Sequence, residues 1–159
     1  MKRTLLNGLS IAVVSGLLIS PIANSQDAKM IESAVKYRQG AFSMIGWHIG
    51  PLGAMAKGEM DFDAAVFAAN AQAIADLAKY PENAFPEGSS SDSVETRAKP
   101  EIWSDADGFG EKLEALKTAS SELATVSAGA SSFDDVKAAF GALGKSCKGC
   151  HDDYRHKKE

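Results

Sequence analysis

Apolar residues recur along the chain at helical spacing, and no stretch alternates apolar and polar positions as a strand does. From Asp27 to about Met55, Ile31, Val35, Phe42, Ile45, Ile49 and Leu52 fall on one stripe at about 100° per residue, which predicts a long amphipathic helix. Gly40, Gly46, Gly50 and Gly53 lower its propensity, and Pro51 is expected to kink or end it. A second helix is expected through FDAAVFAANAQAIADLAKY, with Asp61 as N-cap and Phe62, Val66, Ala73, Leu77 and Tyr80 on its inner side.

The next stretch, PENAFPEGSSSDSVETRAKP, has too many prolines and serines to continue a helix, and reads as a long functional crossover. A third helix is predicted from Glu101 to Ser127, with Phe109, Leu113, Leu116, Leu123 and Val126 inward and Gly129 as its stop. The fourth starts at Ser132, whose hydroxyl suits an N-cap, and has Asp134 and Asp135 in its first turn, where the helix dipole favours negative charge. Its inward positions are Phe133, Val136, Phe140, Leu143, Cys147, Cys150 and Tyr154, a regular three-four repeat in which both cysteines occupy core positions. The expected fold is all-α, an antiparallel four-helix bundle.

The N-terminus breaks this pattern. Lys2 and Arg3 precede an apolar run from about Leu9 to Ile19, followed by Pro21 and the small-residue segment Ala23-Asn24-Ser25, so residues 1–25 read as a secretory signal peptide and 26–159 as the mature domain. An uncleaved anchor is the competing reading, but the run is short for a bilayer span. Removing Lys2 and Arg3 from the 17 basic residues leaves 15 against 21 acidic, a formal charge of −6 from Gln26 onward, which argues against a nucleic-acid partner. Export places the domain in the periplasm, an oxidising compartment where two free cysteines are expected to be paired or otherwise consumed.

Those two cysteines are the only ones in the chain, and they stand in the run Cys147-Lys148-Gly149-Cys150-His151. The pattern is that of covalent haem c attachment, in which two thiols form thioethers and the imidazole that follows ligates iron. On a helix the three-residue spacing puts both sulfurs on one face, with His151 about 100° further round. A thioredoxin-like pair lacks a surrounding βαβ pattern. A structural disulfide or a zinc site, with His156 turned away from His151, are the other competing readings.

With AVKYRQGAF in the first helix, AKPEIWSDADGF entering the third and SCKGCHDDYR at the end, the mature chain resembles the class II c-type cytochromes, and among them cytochrome c′. The resemblance implies one haem c in the bundle core, with Cys147 and Cys150 as thioether anchors and His151 as proximal iron ligand. It also implies Phe42 over the distal face and Arg155 beside the proximal histidine. Many members carry leucine or methionine at the position of Phe42, and a phenylalanine cannot bind iron. Trp103 and Phe109 resemble family aromatics near haem, and Arg38, one turn before Phe42, is expected to pack its stem beside haem with its head on a propionate or in solvent.

The expected function is a haem protein with five-coordinate, high-spin iron that binds nitric oxide or carbon monoxide and carries single electrons. The alternative is a low-spin electron carrier with Met44 or His48 reaching iron through a bent first helix. No paired carboxylates and no nucleophile with an adjacent base suggest an enzyme, although weak peroxidase or nitric oxide reductase chemistry is a third reading. The basic tail YRHKKE suits either a redox partner protein or the helix dipole. The resemblance further implies a homodimer through the first two helices, and Gly46, Gly50 and Gly53 permit close helix approach. No membrane contact is expected once the leader is gone.

Overall fold

The computed structural model describes residues 21–157, so residues 1–20 of the expected leader lie outside the described residues. The helices are α1 (Pro21–Lys57), α2 (Ala64–Leu77), α3 (Glu101–Ser104), α4 (Ala106–Ser127) and α5 (Phe133–Tyr154), with a 3-10 turn at Pro81–Asn83. Among the described residues there is no strand, only an isolated antiparallel bridge between Ala98 and Arg155. The four long helices form the expected bundle, with α1 packed on α2, α2 on α4 and α4 on α5. By contrast, α1 and α5 touch sparingly, and a cavity opens between them.

Three expectations about the elements need correction. The helix α1 is already formed at Pro21, where the described residues begin, and so extends upstream of Asp27; it runs past Pro51 to Lys57 without ending there. Leu52 and Met55, both buried, hold the turn around Pro51 by packing. The cap of α2 is Asp63 rather than Asp61. Its carboxylate accepts from the N–H groups of Ala65 and Val66, each at 3.0 Å. The expected third helix is two: α3 ends at Ser104, and Asp105 restarts the chain as the N-cap of α4, accepting from the Gly108 N–H at 3.3 Å.

The inner face of α2 also differs from expectation. Phe67, Ala71, Ile74, Ala75 and Ala78 are buried, whereas Val66 and Tyr80 are exposed. In so alanine-rich a helix the small residues leave the stripe ill defined, and the bulk of Phe67 and Ile74 selects the face. Phe67 is fully buried and meets Phe62, Phe133 and Phe140 at centroid distances of 5.5, 6.3 and 6.1 Å. The last two contacts are edge-on, the geometry the ring quadrupole favours. These rings join α2 to α5 at the end of the bundle away from the cysteines. The face predicted for α5 is the one it buries or half-buries, with Val136, Leu143 and Tyr154 innermost.

The start of α5 carries a capping box between Ser132 and Asp135. The N–H groups of Ser131 and Ser132 donate to the Asp135 carboxylate, each at 2.9 Å, and hold it below the ordinary aspartate value of 3.8. A carboxyl depressed in the folded state contributes stability that is present above that ordinary value and lost as pH falls through the folded value. Asp135→Ala should therefore lower the urea midpoint near neutral pH, and the gap to the parent protein should close on acidification. A gap that persisted at acid pH would assign the effect to something other than this carboxylate.

Candidate functional site

The cavity measures ≈ 560 Å³, within the range of small-molecule and cofactor sites. It is bounded by α1, the crossover, α3, the first turns of α4 and the last turns of α5. Its walls are largely apolar: Phe42 from α1, Phe85 and Ala98 from the crossover, Ile102 from α3 and Phe109 from α4. Into this space α5 brings Cys150, His151 and Tyr154, followed by Arg155.

The two cysteines are free and half-buried, and they belong to different parts of the interior. Cys147 packs against the main core with Leu143 and Ile45, while Cys150 packs against the second cluster of Ile102, Phe109, Leu113 and Tyr154. Burial pushes both thiols up, so they stay protonated and are poor partners for thiolate chemistry. Burial likewise lowers the pKa of His151, with the guanidinium groups of Arg155 and then Arg97 adding to it. The imidazole is thus kept neutral with a free lone pair, the form that binds iron. Among the described residues no cluster of three or more His, Cys, Asp or Glu exists that could hold a metal ion by itself, which leaves a zinc site without its ligands.

An apolar slot lined by the Cys150 thiol and the neutral imidazole of His151, with the Cys147 thiol one turn earlier on α5 and packed on the main core, fits a thioether-bound haem. Phe42 lines the slot and is half-buried. Met44 is 49% exposed and His48 is turned toward α2, with its Nδ1 2.9 Å from Asn70 Oδ1; neither lines the cavity. Because α1 stays helical through Gly46 and Gly50, the distortion needed to swing either side chain inward is absent.

Arg38 lines the cavity, and its head group is not in solvent. It is 3% exposed, and its guanidinium is committed to the crossover. One terminal nitrogen donates to Ala84 O at 3.1 Å and Ser89 Oγ at 2.7 Å; the other donates to Ser89 O at 2.5 Å and Thr96 Oγ1 at 3.2 Å. The same cation lies 4.8 Å from the centroid of the Phe85 ring. Arg38 therefore shapes the wall by folding the crossover over it. Trp103 stands behind that wall: its Nε1 donates to Phe85 O at 3.2 Å and its ring meets Phe85 edge-on, but it does not line the cavity.

Phe109, Arg155 and Arg97 line the cavity. Sequence reasoning missed Phe85, although an aromatic between Pro81 and Pro86 in a polar crossover was the available signal. It also missed Arg97, which one basic residue in a loop does not announce.

Comparison with known proteins points to one family. The family model described as Cytochrome C' matches residues 33–155. Cytochrome c′ of Cereibacter sphaeroides is 42% identical over 160 residues, covering 99% of this chain and all of that one. Among solved structures, cytochrome c prime from Shewanella frigidimarina superposes with a TM-score of 0.75 at 41% identity, over 80% of this chain and 97% of that one. A nitric oxide complex of a leucine-to-alanine variant of cytochrome c prime from Alcaligenes xylosoxidans superposes with a TM-score of 0.72 at 39% identity, over 80% and 97% of the two chains.

Proposed function

The chain belongs to the cytochrome c′ family, and from that membership we propose that it is an exported haem c protein whose five-coordinate, high-spin iron binds nitric oxide and carbon monoxide and passes single electrons. Cys147 and Cys150 hold the haem through thioethers, and His151 is its proximal ligand. The bound haem supplies one-electron chemistry and an iron site for diatomic gases. The chain's own residues do the rest: the phenyl rings of Phe42, Phe85 and Phe109 exclude water, and the neutral imidazole of His151 donates its lone pair.

One observation carries five-coordination. Among the described residues His151 is the only imidazole lining the cavity, and no methionine or lysine joins it there, while Phe42 offers a ring with no donor atom. The ferrous protein without added ligand should accordingly show the broad optical spectrum of high-spin haem. Sharp low-spin α and β bands would overturn the proposal and revive Met44 or His48 as sixth ligand. Intact mass of native material, expected to start at Gln26 and to carry one haem, tests export and attachment together.

The same membership supports a homodimer through α1 and α2. Met30, Tyr37, Met44 and Trp47 are all exposed, Trp47 to 79%, and they run along one flank of the buried stripe of α1. Spacings of seven, seven and three make this a seam to which a second copy is the natural cover. Trp47→Glu should convert a dimer to a monomer in sedimentation while leaving the optical spectrum in place, and a parent protein already monomeric at high concentration would dismiss the dimer. The proposed role is binding rather than catalysis.

A further inference from the structure

We propose that Tyr154 is a positioning residue for the iron ligand, its phenol latched to the Asp105 carboxylate so that the last turn of α5 presents His151 in one fixed direction. The inference rests on the reading of His151 as proximal ligand. Tyr154 is 5% exposed and meets Phe109 edge-on at 5.3 Å. Its hydroxyl donates to Asp105 Oδ2 at 2.5 Å, a charge-assisted bond. A phenylalanine would satisfy the ring contacts. The hydroxyl is the part that packing does not require, and burying it is costly without a partner.

The partner is itself fixed. Asp105 is the N-cap of α4, so one carboxylate oxygen holds the Gly108 N–H while the other receives the phenol. Gly108 makes room for both: a Cβ there would lie 2.5 Å from Asp105 Oδ2 and 2.7 Å from the Tyr154 hydroxyl. The latch thus requires a tyrosine, an aspartate and a glycine, and it ties α5 to the break between α3 and α4. With Asp105 beside it, the phenol is pushed up to about 12 and stays a donor.

A second set of bonds closes the turn from the crossover side. The last carbonyls of α5 lack intrahelical partners. Lys99 supplies them, with its backbone N–H donating to Tyr154 O at 3.1 Å and its ammonium to Asp152 O and Asp153 O at 3.1 and 3.0 Å. Beyond the helix, His156 N–H donates to Arg97 O at 2.9 Å. Lys99 fixes the position of the turn along its axis, and the Tyr154 latch fixes its rotation. His151 stands one turn before Tyr154, about 60° away around the axis, so a rotation released at Tyr154 moves the imidazole directly.

The test compares ferrous holoprotein of the parent, Tyr154→Phe, Asp105→Asn and Leu123→Ala by the iron–histidine stretching band in resonance Raman. Tyr154→Phe keeps the ring and removes the latch, and it should move the band to lower frequency. Asp105→Asn keeps the cap but leaves a neutral amide opposite the phenol, and should fall between the two. Leu123→Ala empties a fully buried site in the other part of the core, and should lower the melting temperature with the band in place. A Tyr154→Phe band coincident with the parent's, or a shift that Leu123→Ala reproduces, overturns the latch. If Tyr154→Phe does not fold, an Asp105→Asn band identical to the parent's does so instead. A parent protein without any iron–histidine band would sink the assignment of His151 itself, a result distinct from failure of the latch alone.

Discussion

Arg38→Met lowers the thermal unfolding midpoint of the holoprotein by on the order of 10 °C. The substitution keeps a stem of similar length and deletes every bond that Arg38 makes to the crossover. Two buried carbonyls, those of Ala84 and Ser89, lose their donors. An orphaned buried acceptor costs about 1–3 kcal/mol, which puts the loss at about 2–6 kcal/mol. Removing a buried charge returns part of its desolvation cost, so the lower half of that range is the better expectation. Arg38→Lys should rescue little, because an ammonium cannot reach both Ser89 and Thr96 from one stem as the guanidinium fork does. Lys36→Met is the control: Lys36 is solvent-exposed and paired only with Glu32, one turn away on the same surface, and the change should be near neutral. Equal melting temperatures for the Arg38 and Lys36 variants would show that the crossover is held by something else.

Phe42→Ala should raise the association rates of carbon monoxide and nitric oxide with the ferrous protein by about 10–100-fold. With Phe42 over the iron face, as proposed, an incoming gas would have to displace the ring from its packing, and burial of such a side chain is worth about 1.5–3 kcal/mol, with each 1.36 kcal/mol of barrier worth a factor of ten. Because Phe42 is half-buried and packs against the main core, the same change should also cost stability, though less than the 3–5 kcal/mol of a fully buried phenylalanine. Phe42→Leu should fall between in rate at little cost in stability. Stopped-flow mixing settles the matter. A rate within about twofold of the parent's would mean that the ring does not stand over the iron face.

These two side chains mark how far the sequence could be read. Phe42 was legible because its place on the α1 stripe demanded burial and its neighbours in AVKYRQGAF carried the family resemblance. Arg38, on the same helix and one turn away, was not. Its stripe position predicted a stem against the core, but its partners lie 46 to 58 residues further on, in a stretch without periodicity. The division of the expected third helix was likewise hidden, since nothing in the run of residues after Glu101 shows that Asp105 will cap a new helix while also receiving a phenol from 49 residues away.

By itself the sequence determined the helical periods, the long crossover and the run from Cys147 to His151 that matches the haem-attachment pattern, because each is written in residues within a few turns of one another. Only the tertiary structure decided which face of the alanine-rich α2 is buried, where the Arg38 head group goes, that Phe85 forms a wall while Trp103 stands behind it, and that Tyr154 is held by Asp105. Each of these depends on which distant groups can satisfy a buried donor or fill a given volume, and the chain settles that only when the helices close on one another.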